Sequence, residues 1–297
     1  MTSEPRSAYK SVWTALSTTQ QQAVAHVIGE VDEDAIQSAA KDTRHWLEVA
    51  VGIKSDDVIL EIGCGIGRVG QVLAPICKQW IGCDVSPNML RHAQERLASF
   101  SNVRFVELSG YDLRSIEDAS VDLVYCTVVF MHLDEWERYN YILEACRVLR
   151  PGGRVFIDNF NLCSDEGWGI FETHRRIPPS ARPPHMARAS TLPEIQVYLQ
   201  RASGFQDIQV RENGAWIQAY AVRSDERPGA PALIFPEVNE PKPENSLQQK
   251  LVASEQELKR LHAAVAEKNA HIQRIERLLA RIENGRLLRL LRWAGGR

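Results

Sequence analysis

A chain of 297 residues, 44% hydrophobic and 25% charged, can bury at least one sizeable core, and a formal net charge of -3 gives no global reason to expect a nucleic-acid partner. The start, "MTSEPRSAYK", leads into no apolar h-region, and no apolar run approaches the ~18 residues of a spanning helix, so neither export by the usual signal nor membrane integration is expected. The six cysteines form no C-x-x-C pair and mostly sit in apolar runs, which favours a reducing cytoplasm over a disulfide framework or a zinc site; no metal centre is expected.

In chain order, residues 1–52 read as a helical lid or flank. Trp13, Leu16, Val24, Val27 and Ile28 make one apolar stripe, and Trp46, Leu47, Val49 and Ala50 make another. "DVILEIG" from Asp57 is a short, nearly continuous apolar run ending in glycine, the mark of a strand buried on both faces. "QWIGCD", "VRFVEL", "VDLVYC" and "GGRVFID" repeat it, with amphipathic stretches such as "SPNMLRHAQERLASF" and "LDEWERYNYILEACRVL" between them. Strand alternating with helix predicts an α/β domain over 53–223 with a doubly wound, mostly parallel sheet.

Within that domain, 159–189 reads as a long irregular insertion. A helix capped by Ser190 or Thr191, with Pro193 in its first turn and Gly204 past its end, leads to a closing hairpin in "FQDIQVRENGAWIQAYAVR". Residues 224–246, rich in proline and acids, read as a linker. Over 247–284 Leu251, Leu258, Val265, Ile272 and Leu279 share one heptad position, and Ser254, Leu261, Lys268, Ile275 and Ile282 the other. This predicts a coiled-coil helix and a homo-oligomer, against a single helix folded back on the domain. Residues 285–297, "GRLLRLLRWAGGR", are basic and amphipathic, suiting either a membrane surface or a docking site for a protein partner.

The stretch "EIGCGIGRVG" matches two glycine patterns. Gly65, Gly67 and Gly70 spell the G-x-G-x-x-G of dinucleotide loops, while Glu61, Gly63, Gly65 and Gly67 spell E-x-G-x-G-x-G. Asp84, at the end of the second strand, would hold ribose hydroxyls in either case. Glu61 separates them, because its charge would repel a pyrophosphate, whereas a cationic cofactor without phosphate suits it. Gly70 is then a helix-packing glycine.

"VILEIGCGIGRVG", "IGCDVSPNML", "SVDLVYCTVVFMHLDEW" and "RVLRPGGRVFIDN" occur in the order and spacing of the motifs of class I S-adenosylmethionine-dependent methyltransferases, which the chain resembles from about Asp57 to Arg223. The resemblance implies a Rossmann-like sheet of seven strands with an antiparallel last strand, and S-adenosyl-L-methionine as cofactor. It implies that Gly63, Gly65 and Gly67 pass the methionyl and ribose parts, with Glu61 near the ammonium, Asp84 on the ribose and Met89 against the adenine. Gly110, Tyr111 and Asp112, after the third strand, and Cys126 and Thr127, at the end of the fourth, complete the expected cofactor set. The family's acid usually follows that glycine directly; here Tyr111 intervenes and Asp112 is displaced by one.

His132, just past the fourth strand, is the candidate base or acceptor-positioning group, the plainer alternative being a loop-ordering role before a helix cap at Asp134. In the insertion, Trp168, Arg175, Arg176, Arg182 and His185 are the candidate acceptor residues, in company with Phe171, His174 and Arg188. Aromatics beside arginines suit a sugar face next to an anion. Arg68, Trp136 and Arg138 are lesser candidates. The function expected is cytoplasmic O-methylation of a hydroxyl on a polar or anionic acceptor, such as a sugar or a lipid-linked glycan. The alternatives are N-methylation, a small metabolite as acceptor, or a non-catalytic cofactor-binding scaffold.

Overall fold

The computed structural model describes residues 8–28, 32–225 and 268. The predicted linker beyond Asp225, the coiled coil and the basic tail therefore lie, Lys268 aside, outside the described residues. All described elements belong to the first of two units, 1–237.

Three helices open the chain: α1 (Tyr9–Leu16), α2 (Gln20–Ile28) and α3 (Glu33–Ala50). α3 is capped by the Asp32 carboxylate, which accepts from the Ala35 amide, and it buries Ile36, Ala40, Thr43 and Leu47 on one face. Val49, expected in that stripe, is 61% exposed, because it falls off the face that Leu47 defines.

The sheet contains β1 (Val58–Ile62), β2 (Gln79–Asp84), β3 (Val103–Glu107), β4 (Val121–Cys126), β5 (Leu149–Phe160), β6 (Phe205–Asn213) and β7 (Trp216–Arg223). Their order across the sheet is β3-β2-β1-β4-β5-β7-β6, with β7 antiparallel to both neighbours and the β3 to β5 ladder parallel. α4 (Gly70–Leu73), α5 (Pro87–Arg96), α6 (Glu135–Val148), α7 (Asp165–Arg175) and α8 (Leu192–Arg201) join the strands. Every residue of β1 is buried, since helices cover both faces of the sheet. Leu60, Val124, Ile142 and Leu199 belong to the core on one face, Ile59, Leu123, Trp80 and Phe156 to the core on the other. β1 and β4 are adjacent and the chain winds away from them in opposite directions, so their carboxyl ends frame the crevice where ligands bind in open parallel sheets.

The insertion 159–189 is not irregular throughout. β5 runs through Asn159 and Phe160, and Asp165–Arg175 is a helix whose Ser164 hydroxyl accepts from the Gly167 amide at 3.0 Å. Acids in its first turn and His174 and Arg175 in its last turn complement the helix dipole. Its ends are pinned by hydrogen bonds from the Leu162 amide to the Ser190 carbonyl and from the Ser190 amide to the Phe160 carbonyl, both 2.8 Å.

Candidate active site

The turn leaving β1 is built from backbone that only glycine adopts without strain: Gly63, Gly65 and Gly67 have φ of 74°, 52° and 75°. It is pinned to β2. The amides of Gly63 and Cys64 both donate to the Cys83 carbonyl at 2.8 Å, and the Gly65 amide donates to Asp84 Oδ2 at 2.9 Å. Asp84 Oδ1 accepts from the Ser86 amide at 2.9 Å. Each carboxylate oxygen has a second lone pair, so Asp84 can order the loop and still accept from a ligand. Gly70 lies below: a Cβ there would come within 2.7 Å of the Trp80 ring, so its role is close packing.

Above this turn lies a cleft, at the carboxyl edge where ligands bind in open parallel sheets. Its lining includes Glu61, Gly63, Gly65, Arg68, Asp84 and Met89 together with Gly110, Thr127, Val129 and His132, and α1 adds Tyr9 and Trp13. The Thr127 hydroxyl is buried there with no hydrogen-bond partner among the described residues, so a donor or acceptor on it is left open.

Two buried acids, Glu61 and Asp84, line the cleft, and a third, Asp158, bonds the backbone of its lining residue Val128. Burial pushes the Glu61 carboxyl up to about 8, against the Tyr125 hydroxyl that donates to Oε2 at 2.5 Å and the charge of Arg68. Tyr125 is held in turn by the Trp80 indole N–H at 3.1 Å. Burial raises Asp84 to about 6. Asp158, at the end of β5, is raised by burial to about 7, although its Oδ1 accepts from the Val128 amide at 2.7 Å. Val128 has φ +62°, a conformation a β-branched residue rarely adopts. Asp158 thus holds in place the strained turn that presents Thr127 and Val129. Sequence reasoning passed over Asp158, and the signal was an acid ending an apolar strand, "VFID".

His132 lines the cleft, with Nδ1 2.7 Å from the His185 carbonyl. That contact requires Nδ1 to carry the proton, which makes Nε2 the basic nitrogen in the neutral ring. The Trp13 ring meets it edge-on at 4.8 Å between centroids. Asp134, expected as a capping side chain, makes no capping bond and pairs instead with Arg188.

Other expected residues fall elsewhere. Asp112 does not line the cleft; its carboxylate is chelated by Arg114 at 2.7 Å, so the one-residue displacement turns it away. Tyr111 lies against the Tyr9 ring at 6.0 Å, and Cys126 is buried beneath the lining rather than in it. Trp136 is 76% exposed. Arg138 is wholly buried and donates to the Phe130 carbonyl at 2.8 Å, the Ser190 hydroxyl at 2.7 Å and the Arg188 carbonyl at 3.2 Å, so it clamps loops together and touches no cleft.

The acceptor candidates are not gathered in one place. Arg175 and Arg182 line a second cleft with Phe171, His174 and Arg188. Trp168 and Arg176 line neither cleft; Trp168 packs on Phe171 at 5.2 Å. His185 lines neither, its ring lying 6.1 Å from Trp13. Arg175 pairs with Glu172 at 2.9 Å, and Arg182 donates to the Ile177 carbonyl at 3.1 Å. These cations are therefore engaged within the chain rather than held ready for an anion.

Among known proteins, the family described as a methyltransferase domain matches residues 60–157. A thiol S-methyltransferase of Homo sapiens is 32% identical over 117 residues, 38% of this chain and 46% of that protein. A ubiquinone biosynthesis O-methyltransferase of Cupriavidus pinatubonensis is 33% identical over 118 residues, 39% of this chain and 46% of that one. The chain thus spans just under half the length of these relatives. The fold is shared with Haemonchus contortus phosphoethanolamine N-methyltransferase 1, solved with phosphoethanolamine and S-adenosylhomocysteine, at a TM-score of 0.54 and 18% identity over 80% of this chain and 52% of that one.

Proposed function

We propose, from the premise that residues 60–157 are a class I S-adenosylmethionine-dependent methyltransferase domain, that this protein transfers the methyl group of S-adenosyl-L-methionine to a hydroxyl of a polar acceptor. The cofactor supplies a methyl on a cationic sulfonium with its leaving group attached; the chain supplies orientation and proton management. Glu61 takes the ammonium end, Asp84 the ribose hydroxyls and Met89 the adenine face, while Thr127 gives its hydroxyl to the ligand. Tyr9 and Trp13 keep water from the reacting centre.

The observation that carries the alcohol reading is the His132 geometry. With Nδ1–H bonded to the His185 carbonyl at 2.7 Å, Nε2 accepts the proton that a hydroxyl must shed as it attacks, and the Nδ1 bond strengthens as the imidazole gains charge. An amine or thiolate acceptor has no such need. Acceptor screening with labelled cofactor, followed by His132→Ala kinetics, tests this: kcat should fall about 10²-fold or more with cofactor affinity unchanged. An unaltered kcat would move the assignment to an amine acceptor. A sugar or lipid-linked glycan is the acceptor class we favour, on the exposed Trp168 and Phe171 beside the second cleft.

We also carry forward a homo-oligomer assembled through 247–284, and a membrane or protein contact through 285–297. Both rest on the heptads and the basic tail. The cytoplasmic assignment draws support from six free cysteines, five of them buried. Truncation after Arg223 with light scattering of both forms tests the assembly; an unchanged mass would end it.

A further inference from the structure

Arg68 follows the last glycine of the β1 turn, is only 7% exposed, and lines the cofactor cleft. Its Nη1 donates to the Thr43 hydroxyl at 3.2 Å, and Thr43, buried in α3, donates onward to the Ala39 carbonyl at 2.9 Å. Among the described residues no carboxylate lies within ion-pair distance of it. Glu61 and Asp158 feel its charge only through the field. A buried guanidinium with five donors and a single neutral partner is costly unless an anion completes it. The other two deeply buried arginines among the described residues have that complement: Arg138 meets Glu194 at 3.1 Å and Arg154 meets Asp57 at 2.6 Å.

The missing anion must share a cleft with Glu61, which suits an ammonium. A cation and an acid lining the same cleft, close enough for the charge of Arg68 to act on the Glu61 carboxyl, match the two charges of an α-amino acid zwitterion. We propose that Arg68 anchors the α-carboxylate of the cofactor's amino-acid end, so that Arg68 and Glu61 together read the zwitterion, with Thr43 of α3 fixing the guanidinium. This rests on the cofactor reading above. It also gives α3 a part in binding, since among the described residues the helix supplies the hydroxyl that orients the fork.

Calorimetry on the full chain separates this from a packing role. The ligands are S-adenosylhomocysteine, S-adenosyl-3-thiopropylamine, which lacks only the carboxylate, and 5′-methylthioadenosine, which lacks the whole amino-acid end. Wild type should lose at least about thirtyfold in affinity on removal of the carboxylate. Arg68→Gln should bind S-adenosylhomocysteine at least about thirtyfold more weakly and 5′-methylthioadenosine as before, erasing the preference for the carboxylate. Arg68→Lys should fall between, keeping the charge but losing the fork. Equal affinity of wild type for the first two ligands overturns the proposal whatever the variants do, and so does equal weakening of all three ligands in Arg68→Gln. If wild type binds none of the three, the cofactor reading of the cleft falls and takes this assignment with it. An anion site serving the acceptor would show as an unchanged S-adenosylhomocysteine affinity in Arg68→Gln, which also overturns it.

Discussion

Glu61 lies between the Tyr125 hydroxyl and the field of Arg68, and its carboxyl is raised to about 8 by burial. In the free protein at neutral pH it therefore holds a proton, whereas an ammonium beside it favours the carboxylate. Binding must expel that proton, so affinity for the cofactor should climb with pH, by up to about tenfold per unit, and level off near pH 8. Calorimetry from pH 6 to 8 in buffers of different ionisation enthalpy reads both the climb and the proton. In Glu61→Gln the Tyr125 hydroxyl keeps an acceptor, so the fold should survive while affinity drops and its pH dependence flattens. A wild-type affinity that falls with pH would remove Glu61 from the ammonium site. Glu61, Asp84 and the three glycines were legible because the motif is local: one turn, a few residues, one backbone conformation. Trp13 was legible as part of a helix expected to lid or flank the domain, whereas Tyr9 was not singled out, because it meets its partner Glu137 across 128 residues of chain.

At the scale of elements, the strands could be read because a sheet covered on both faces forces apolar runs, and "DVILEIG" is such a run. α7 could not, because Gly167 and Gly169 look like helix breakers. Gly167 is there for a reason that exists only in three dimensions: a Cβ would sit 1.8 Å from the Asn161 carbonyl oxygen. Asp112 was misassigned because spacing places its backbone, whereas Arg114 decides where its side chain goes. Gly70 gives a direct check on the two readings of the glycine loop. Gly70→Ala should destabilise the domain by about 1–3 kcal/mol through overpacking on Trp80 and Leu97. Urea unfolding reads that loss, and cofactor affinity should not change; a loop that used Gly70 to approach a pyrophosphate would lose its ligand instead. Arg138 joins the loop bearing His132 to the end of the insertion, so Arg138→Met removes the guanidinium donor from the Phe130 and Arg188 carbonyls, the former keeping only the Leu133 amide. The expected cost is about 3 kcal/mol or more, with faster tryptic cleavage between His174 and Arg188; unchanged proteolysis would mean the insertion is held by other contacts.

Over the whole molecule, the carboxyl edge of the sheet concentrates three buried acids, with Asp84 raised to about 6, Asp158 to about 7 and Glu61 to about 8. In the unfolded chain such carboxyls titrate near ~4. Between these limits the folded state binds more protons than the unfolded one, so stability is fullest below about pH 4 for these groups, falls as pH rises through 6 to 8, and levels off above. This opposes the usual acid behaviour of surface carboxylates such as Glu33, whose pairing with Arg96 lowers its carboxyl and stabilises at higher pH. Surface pairs of that kind contribute little, so the buried acids should dominate between pH 6 and 8. The ligand-free protein should therefore melt at least about 4 °C lower at pH 8.5 than at pH 6. Saturating S-adenosylmethionine should narrow that gap, because its cationic groups stabilise the ionised Glu61 and the ribose hydroxyls solvate Asp84. Near-ultraviolet dichroism melts with and without cofactor measure both midpoints. A ligand-free midpoint that is flat or rises with pH would show that these acids ionise freely in the fold, and that the cleft is better hydrated than its burial implies. The sign follows from where the topology puts the charges: a sheet that gathers its strand-end acids at one crevice carries an electrostatic cost when empty, and a cationic ligand relieves it.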